Sequence, residues 1–250
     1  MDRSLDVAAV RGTLLASVSF LSLTPIIAYV LWVSEGCDPY LPFISDMDLS
    51  ERAGVAFTVG YSISGLLLAV SGIQFGLLRE DWFESRSSDE KLITINRLSM
   101  FFSVAAGIGL FWISFTPWDE SFLLHIVLAN VIFLGSISWA ICITICTWVM
   151  SKEDERFESS VTMRTGFSAM GLFGLFGMAE RFMRFNGLTL NFDALRGRLG
   201  ERVGECISLG DSLLSQAAAF EWLFAGSMAL VVASLIPEIE ILTVSESEEA

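Results

Sequence analysis

Long uncharged runs alternate with short charged segments along the whole chain. A helix that crosses a bilayer needs about 20 consecutive apolar residues, and several of the runs reach that length. The pattern is typical of a multi-pass membrane protein. We therefore predict an all-α fold, a bundle of six transmembrane helices that forms a single domain over residues 1–250. The predicted spans cover about residues 12–34, 53–78, 98–118, 121–150, 163–183 and 217–237.

The fifth predicted span is the weakest of the six. Only the 15 residues from Thr165 to Ala179 are uncharged, so the helix must gain length from its flanks. Snorkelling of Arg164 and Arg181 toward the lipid headgroups would supply it.

The segments around the sixth span have patterns of their own. Residues 191–214 carry apolar positions three, four or seven apart, which predicts an amphipathic helix on the membrane surface. Four glycines weaken such a helix, so a loose loop is the equal alternative. Residues 238–250 form an acidic tail without a base, which we expect to be solvated.

The distribution of Lys and Arg predicts the orientation. Nine bases fall on one side of the first four spans and one, Arg52, on the other. Cytoplasmic loops carry the excess of bases, so both termini should be cytoplasmic if all six spans cross. Five arginines between spans five and six break the rule. If span five does not cross, the C-terminus lies outside instead.

Composition excludes several classes of protein. The chain is 53% hydrophobic and 18% charged, with a mean hydropathy of +0.61, whereas soluble domains carry about 25% charged residues. A disordered chain and a soluble enzyme with one core do not fit these values. The net charge of −14 argues against nucleic acid as a partner.

The four cysteines fall into two pairs. Cys142 and Cys146 share one face of the fourth span and are expected to be free and buried. Cys37 and Cys206 lie outside the runs, and a disulfide can join them if both are on the outer side.

The most unusual polar segment follows span one and reads CDPYLPFISDMDLSERAG. Asp46 and Glu51 lie just before the second span. One interpretation is a capped helix start, with Asp48 or Ser50 as the N-cap. The other is an ordered outer loop that binds a lipid headgroup, an ion or a partner.

Two other polar residues fall at the same predicted depth. His125, the single histidine, lies near the start of span four, and Glu221, beside Trp222, begins span six. Each can be a hydrogen-bonded group at the interface, but a carboxylate at membrane depth suggests a functional site. We predict no metal, cofactor or catalytic residue, because one histidine without an HExxH motif does not build a histidine metal site.

Small residues form stripes on two predicted helices. In span two they recur at spacings of four, three and four residues, and in span five at spacings of three. Such stripes allow helices to pack closely. The stripes contain Gly65, Ala69, Gly72 and Gly76 in span two, and Gly171, Gly174 and Gly177 in span five.

Several short motifs carry a family resemblance. PFISDM with a glutamate four residues on, an asparagine opening span three, H-x-x-x-A-x-x-x-F in span four and E-W at span six resemble the FRAG/DRAM/SFK family. That family includes the damage-regulated autophagy modulators and proteins that remodel GPI-anchor lipids. A prokaryotic six-span family with an ISDLG-like loop is also similar. The residues that match are Pro42, Ile44, Ser45, Asp46, Glu51, Asn96, His125, Ala129, Glu221 and Trp222.

The resemblance implies six spans, two cytoplasmic termini and a role as a scaffold or modulator in membrane-lipid handling. We therefore expect a non-enzymatic protein whose outer loop, with His125 and Glu221, binds lipid headgroups or a protein partner. A lipid enzyme using Asp46, His125 and Glu221 is the first alternative, and a small transporter is the second. The membrane would be the cell membrane in a prokaryote and an endomembrane or the plasma membrane in a eukaryote.

Overall fold

A computed structural model describes residues 6–86, 89–187, 196–197, 199–200 and 206–248. Every secondary-structure element in these ranges is a helix. Short 3₁₀ helices, Ile44–Leu49 and Glu155–Phe157, precede the second and fifth α-helices. The α-helices are α1 Val7–Ser34, α2 Glu51–Ser85, α3 Glu90–Ile113, α4 Phe122–Glu153, α5 Glu158–Phe185, α6 Ser212–Ala233 and α7 Ile236–Glu248.

Acidic side chains start several of these helices. Asp6, Asp89 and Asp211 each accept a hydrogen bond from a backbone N–H two residues on, at 3.0, 3.0 and 2.7 Å. An N-cap carboxylate accepts a hydrogen bond from one of the free backbone N–H groups of the first turn, and the positive end of the helix dipole stabilises its negative charge. The charged segments between the apolar runs therefore define where α1, α3 and α6 begin.

Five helical segments are long and apolar enough to cross a membrane: α1, α2, α3, α4 and Ser212–Leu242, which contains α6 and the start of α7. The chain is thus an all-helical membrane protein with five candidate spans, and the predicted count of six is not confirmed. The fifth predicted span corresponds to α5, whose 28 residues include charged positions on both sides of the uncharged stretch.

Close helix packing follows the predicted small-residue stripes. A methyl group added to Gly65 would lie 2.6 Å from the Phe111 nitrogen on α3, and one added to Gly174 would lie 2.9 Å from the Phe220 oxygen on α6. Only glycine permits backbones this close. The interpretation of both stripes as packing faces is confirmed.

Different interactions join the chain at the two ends of the bundle. At the disulfide end, Cys37 and Cys206 are joined with their Cα atoms 5.1 Å apart, which is the pairing that the sequence allows. At the termini end, Arg11 of α1 and Glu240 of α7 form an ion pair of 3.1 Å. Because α1 runs from the termini end to the disulfide end, the 35–50 loop lies beside the disulfide.

A buried ion-pair cluster lies at the termini end. The side chains of Arg79, Arg164 and Glu238 are at most 1% exposed, and Glu238 pairs with the two arginines at 2.8 and 2.5 Å. The expectation that Arg164 snorkels to the headgroups is therefore wrong. The expectation of a solvated tail is wrong for Glu238, because the start of α7 packs against the bundle and buries this carboxylate.

Only part of the predicted surface helix over 191–214 lies within the described residues. Residues 191–195, 198 and 201–205 lie outside the described residues. Residues 206–211 are not helical, and from Ser212 the chain belongs to α6. The last span therefore begins five residues before the predicted start, because Asp211 supplies the N-cap.

Candidate functional site

Asp46 organises the loop between α1 and α2. Its carboxylate accepts a hydrogen bond from the Phe43 amide at 3.1 Å, three residues earlier, and another from the Trp118 indole at 3.2 Å. The residue is 4% exposed, and this burial raises the pKa of Asp46 to about 7. Both oxygens of Asp46 therefore hold the 3₁₀ turn and tie it to the segment after α3.

Two adjacent residues of α6 hold the backbone of the same loop. Glu221 Oε2 accepts a hydrogen bond from the Ile44 amide at 2.7 Å, and the Trp222 indole donates to the Pro42 carbonyl at 2.9 Å. The Trp222 ring also meets Tyr29 of α1 edge to face at 6.1 Å. The Glu-Trp pair thus fixes the loop on α6 through main-chain groups, which any loop sequence would offer.

His125 faces the loop from the second turn of α4. Its Nδ1 lies 2.6 Å from the Thr116 carbonyl. A carbonyl can only accept, so we place the ring proton on Nδ1. In the neutral ring, Nε2 is then a hydrogen-bond acceptor. His125 is 5% exposed, and Nε2 is the ring atom that remains to accept a hydrogen bond.

One cavity brings the three predicted polar residues together. Asp46, His125 and Glu221 line a cavity of about 500 Å³ between the loop, α4 and α5. A smaller chamber of about 120 Å³ shares His125 and Glu221 with it and continues toward Tyr61 and Phe224. The shared depth predicted from the sequence is thus a shared cavity in the structure.

The cavity has a polar end and apolar walls. Its walls come from α4 and α5, through residues such as Phe133, Leu175 and Phe182, and no Lys or Arg lines either chamber within the described residues. The described residues hold no cluster of three His, Cys, Asp or Glu side chains that could bind a metal ion. The arrangement can therefore offer acceptors at one end and an apolar surface along the rest.

The other residues singled out in the sequence lie at the cavity, on the surface or inside the helix bundle. Ser45 and Ala129 line both chambers of the cavity. Glu51 is exposed in the first turn of α2, away from the cavity. Asn96 lies buried at the termini end of α3, where its Nδ2 donates to the Gly76 carbonyl at 2.7 Å. Asn96 therefore joins α3 to α2 and does not contribute to the site.

Two residues that hold the loop in place, Trp118 and Glu35, were not predicted from the sequence. Trp118 donates a hydrogen bond to Asp46, and its position five residues after the end of α3 gave no signal for that contact. Glu35 accepts hydrogen bonds from the Ser50 hydroxyl at 2.6 Å and the Arg52 amide at 2.7 Å. The Ser50 hydrogen bond lowers the pKa of Glu35. Ser50 is the N-cap residue of α2, as one interpretation predicts, but Glu35 supplies the side-chain hydrogen bond to the first turn.

The fold and the site define a multi-pass integral membrane protein with an ordered polar loop at one end. The family model described as the Frag1/DRAM/Sfk1/Cwh43P N-terminal domain matches residues 12–242. The chain belongs to this family, as its motifs predict. No curated protein and no solved structure matches the chain.

Proposed function

We propose that the protein is a non-enzymatic binder of membrane lipid. The lipid head would occupy the polar end of the cavity, at Glu221 and His125, and the apolar part would lie between α4 and α5. The observation that best supports this proposal is the cavity itself, whose polar groups are concentrated at one end while its walls are apolar. Lipid-binding sites need both surfaces in continuity.

The cavity also reaches the surface that would face the bilayer. Asn130 of α4 and Met183 of α5 line it and are both exposed, Met183 at 51%. A lipid could therefore enter sideways between the two helices without passing through water. This lateral route supports a membrane ligand over a soluble one.

An enzymatic role is the less supported reading of the same residues. Both oxygens of Asp46 already accept hydrogen bonds from Phe43 and Trp118. A general acid or base needs a proton-transfer position open to the substrate. Asp46 therefore supports the loop, and only Glu221 and His125 have atoms left for a ligand.

We place the disulfide end outside the cytoplasm and propose that α5 crosses the membrane as a sixth span. Disulfides persist in oxidising compartments, and the Lys and Arg bias favours the same orientation. Gly174 and Gly177 of α5 pack on Phe220 and Phe224 of α6, so the two helices share the same depth. Phe173 and Phe176 of α5 are 63% and 65% exposed, as expected of a lipid-facing surface.

The lipid-binding proposal is tested by filling the cavity. Ala129→Trp places a large side chain between the two chambers, and the purified protein should lose most of its co-purifying lipid, measured by mass spectrometry. Ile141→Trp is the matched control, because Ile141 is 46% exposed on the same helix. An unchanged lipid content in a folded Ala129→Trp protein would contradict the proposal.

Orientation is tested by labelling single introduced cysteines with a membrane-impermeant maleimide in intact cells. Asp119→Cys, in the exposed turn at the disulfide end, should react, and Glu155→Cys, exposed at the termini end, should react only after lysis. The reverse pattern would place the site in the cytoplasm.

A further inference from the structure

The polar end of the cavity offers hydrogen-bond acceptors without a compensating cation. We propose that the site selects an uncharged lipid with a hydroxyl headgroup, of the diacylglycerol or sterol type, over phospholipids. This inference rests on the lipid-binding function proposed above and adds the chemical class of the ligand.

The hydrogen-bonding atoms that remain available at the polar end define which groups a ligand must supply. Glu221 Oε2 is occupied by the Ile44 amide, whereas Oε1 receives no hydrogen bond within the described part of the chain. His125 Nδ1 is engaged by Thr116, which leaves Nε2. His125 Nε2 accepts a hydrogen bond, and Glu221 Oε1 accepts one when the carboxyl group is ionised and donates one when it is protonated, so a hydroxyl group, which both donates and accepts, fits the pair in either state.

Charge argues against a phosphate at this position. A phosphodiester would lie beside the carboxyl groups of Asp46 and Glu221, in a cavity that no described Lys or Arg side chain lines. An anion buried without a cationic partner carries a large desolvation cost, and repulsion adds to that cost whenever either carboxyl group is ionised. The neutral amides of Asn130 and Asn186 at the cavity rim do not offset a full charge.

The apolar part of the cavity sets the shape of the ligand. Its volume of about 500 Å³ is within the range of small-molecule sites, roughly 300–1,000 Å³. Aromatic and aliphatic side chains of α4 and α5, among them Phe133, Leu175 and Met178, line it. An acyl chain or a fused ring system can lie along these walls, with its hydroxyl end directed to the loop.

The test uses the full-length protein in mixed micelles with photoreactive diacylglycerol and sterol probes. Crosslinks should map to α4 and α5 by peptide mass spectrometry. Unlabelled diacylglycerol or cholesterol should compete at concentrations at least about tenfold below those of phosphatidylglycerol and phosphatidylcholine. The two probes distinguish an acyl-chain ligand from a ring ligand, and either result supports the proposal.

A charge-neutral variant provides a second readout. Glu221→Gln keeps an oxygen for the Ile44 amide, removes the carboxylate and adds an amide donor, so the preference over phosphatidylglycerol should fall at least about threefold. Glu51→Gln, exposed and away from the cavity, is the control and should retain the wild-type preference. An unchanged preference in a folded Glu221→Gln protein would overturn the role of charge.

The remaining outcomes distinguish failure of the proposed headgroup selectivity from failure of lipid binding. Equal or stronger competition by a phospholipid, or stronger competition by a long-chain amine, would overturn the selection of an uncharged headgroup and leave lipid binding intact. Absence of crosslinks in α4 and α5 with both probes would overturn the selection of a hydroxyl lipid, and the co-purifying lipid of the Ala129→Trp variant then decides whether the cavity binds lipid at all. The wild-type competition decides these outcomes even if the Glu221 variant does not fold.

Discussion

Glu238 accepts a hydrogen bond from Arg79 at 2.8 Å, and neither side chain is more than 1% exposed. Arg164 approaches the same carboxylate to 2.5 Å, so two guanidinium groups share one acid. The hydroxyl of Thr147 and the backbone oxygen of Ser234 accept further hydrogen bonds from these arginines, each at 3.0 Å. The cluster thereby joins α2, α4, α5 and the start of α7.

Glu238→Gln should destabilise the protein strongly, because it leaves two buried guanidinium groups without a counter-charge. Breaking a buried pair in this way costs about 3–5 kcal/mol, measurable as a lower thermal midpoint in detergent. Glu240→Gln is the control two residues on. Its side chain is 69% exposed, and loss of an exposed pair costs at most about 1 kcal/mol. Equal midpoints for the two variants would show that the buried pair does not stabilise the fold.

Trp222→Phe should loosen the loop while keeping an aromatic ring against Tyr29. The change removes the indole donor to the Pro42 carbonyl, which is worth about 1 kcal/mol. Hydrogen–deuterium exchange over residues 42–48 should become faster. Trp112→Phe, 56% exposed on α3, should leave that exchange unchanged. Identical exchange in the Trp222 variant and the wild type would show that the Trp222 hydrogen bond does not hold the loop.

Stability should fall as the pH rises, in part through Asp46. Burial raises its pKa from 3.8 to about 7, so the folded state binds more protons than the unfolded state between these values. The stabilisation is complete below the lower value and is lost as the pH rises through the upper one. Asp48, whose pKa burial also raises to about 7, adds to the same trend.

Asp46→Asn tests the assignment of this pH dependence. The variant cannot ionise, so its thermal midpoint should fall less than that of the wild type between about pH 5 and pH 8. Asp48→Asn, measured in parallel, separates the second carboxyl group. A wild-type slope that both variants retain would mean that other groups titrate.

Gly65→Ala should destabilise the contact between α2 and α3. The added methyl group would meet backbone atoms of Phe111 at 2.6 Å, and backbone cannot rotate away as a side chain can. Overpacking of this kind costs about 1–3 kcal/mol. Gly226→Ala is the matched control on α6, where nothing lies within 4 Å of the added atom. It should be neutral or stabilising, since alanine favours helix, and a thermal melt of both variants measures the difference.

The apolar runs and the alternation of helix direction were sufficient to predict which polar residues lie toward the same end of the bundle, but not whether they meet. Asp46, His125 and Glu221 each lie next to the boundary of a run, and successive helices return to the same side. That reasoning predicts a shared depth, and packing decides that all three line one cavity. The backbone contacts of Glu221 and Trp222 with the loop have no signal in local spacing.

The cluster at the termini end shows why the remainder could not be predicted. Arg79 and Glu238 are 159 residues apart, and each lies at the flank of an apolar run. A flanking charge is usually solvated or snorkelling, so the pattern favoured that interpretation. Only the packing of α7 against the bundle, which is tertiary structure, buries them.

The hydrogen bond between Ile44 and Glu221 has a consequence for biogenesis. The two residues are 177 positions apart, so the loop after the first helix has no acceptor for this amide until the last membrane segment leaves the ribosome. The disulfide, which closes 169 residues, depends on the late arrival of Cys206, just before α6. A chain interrupted before Cys206 would therefore display an unassembled loop and a free thiol at Cys37, two features by which quality control could distinguish unfinished from finished protein.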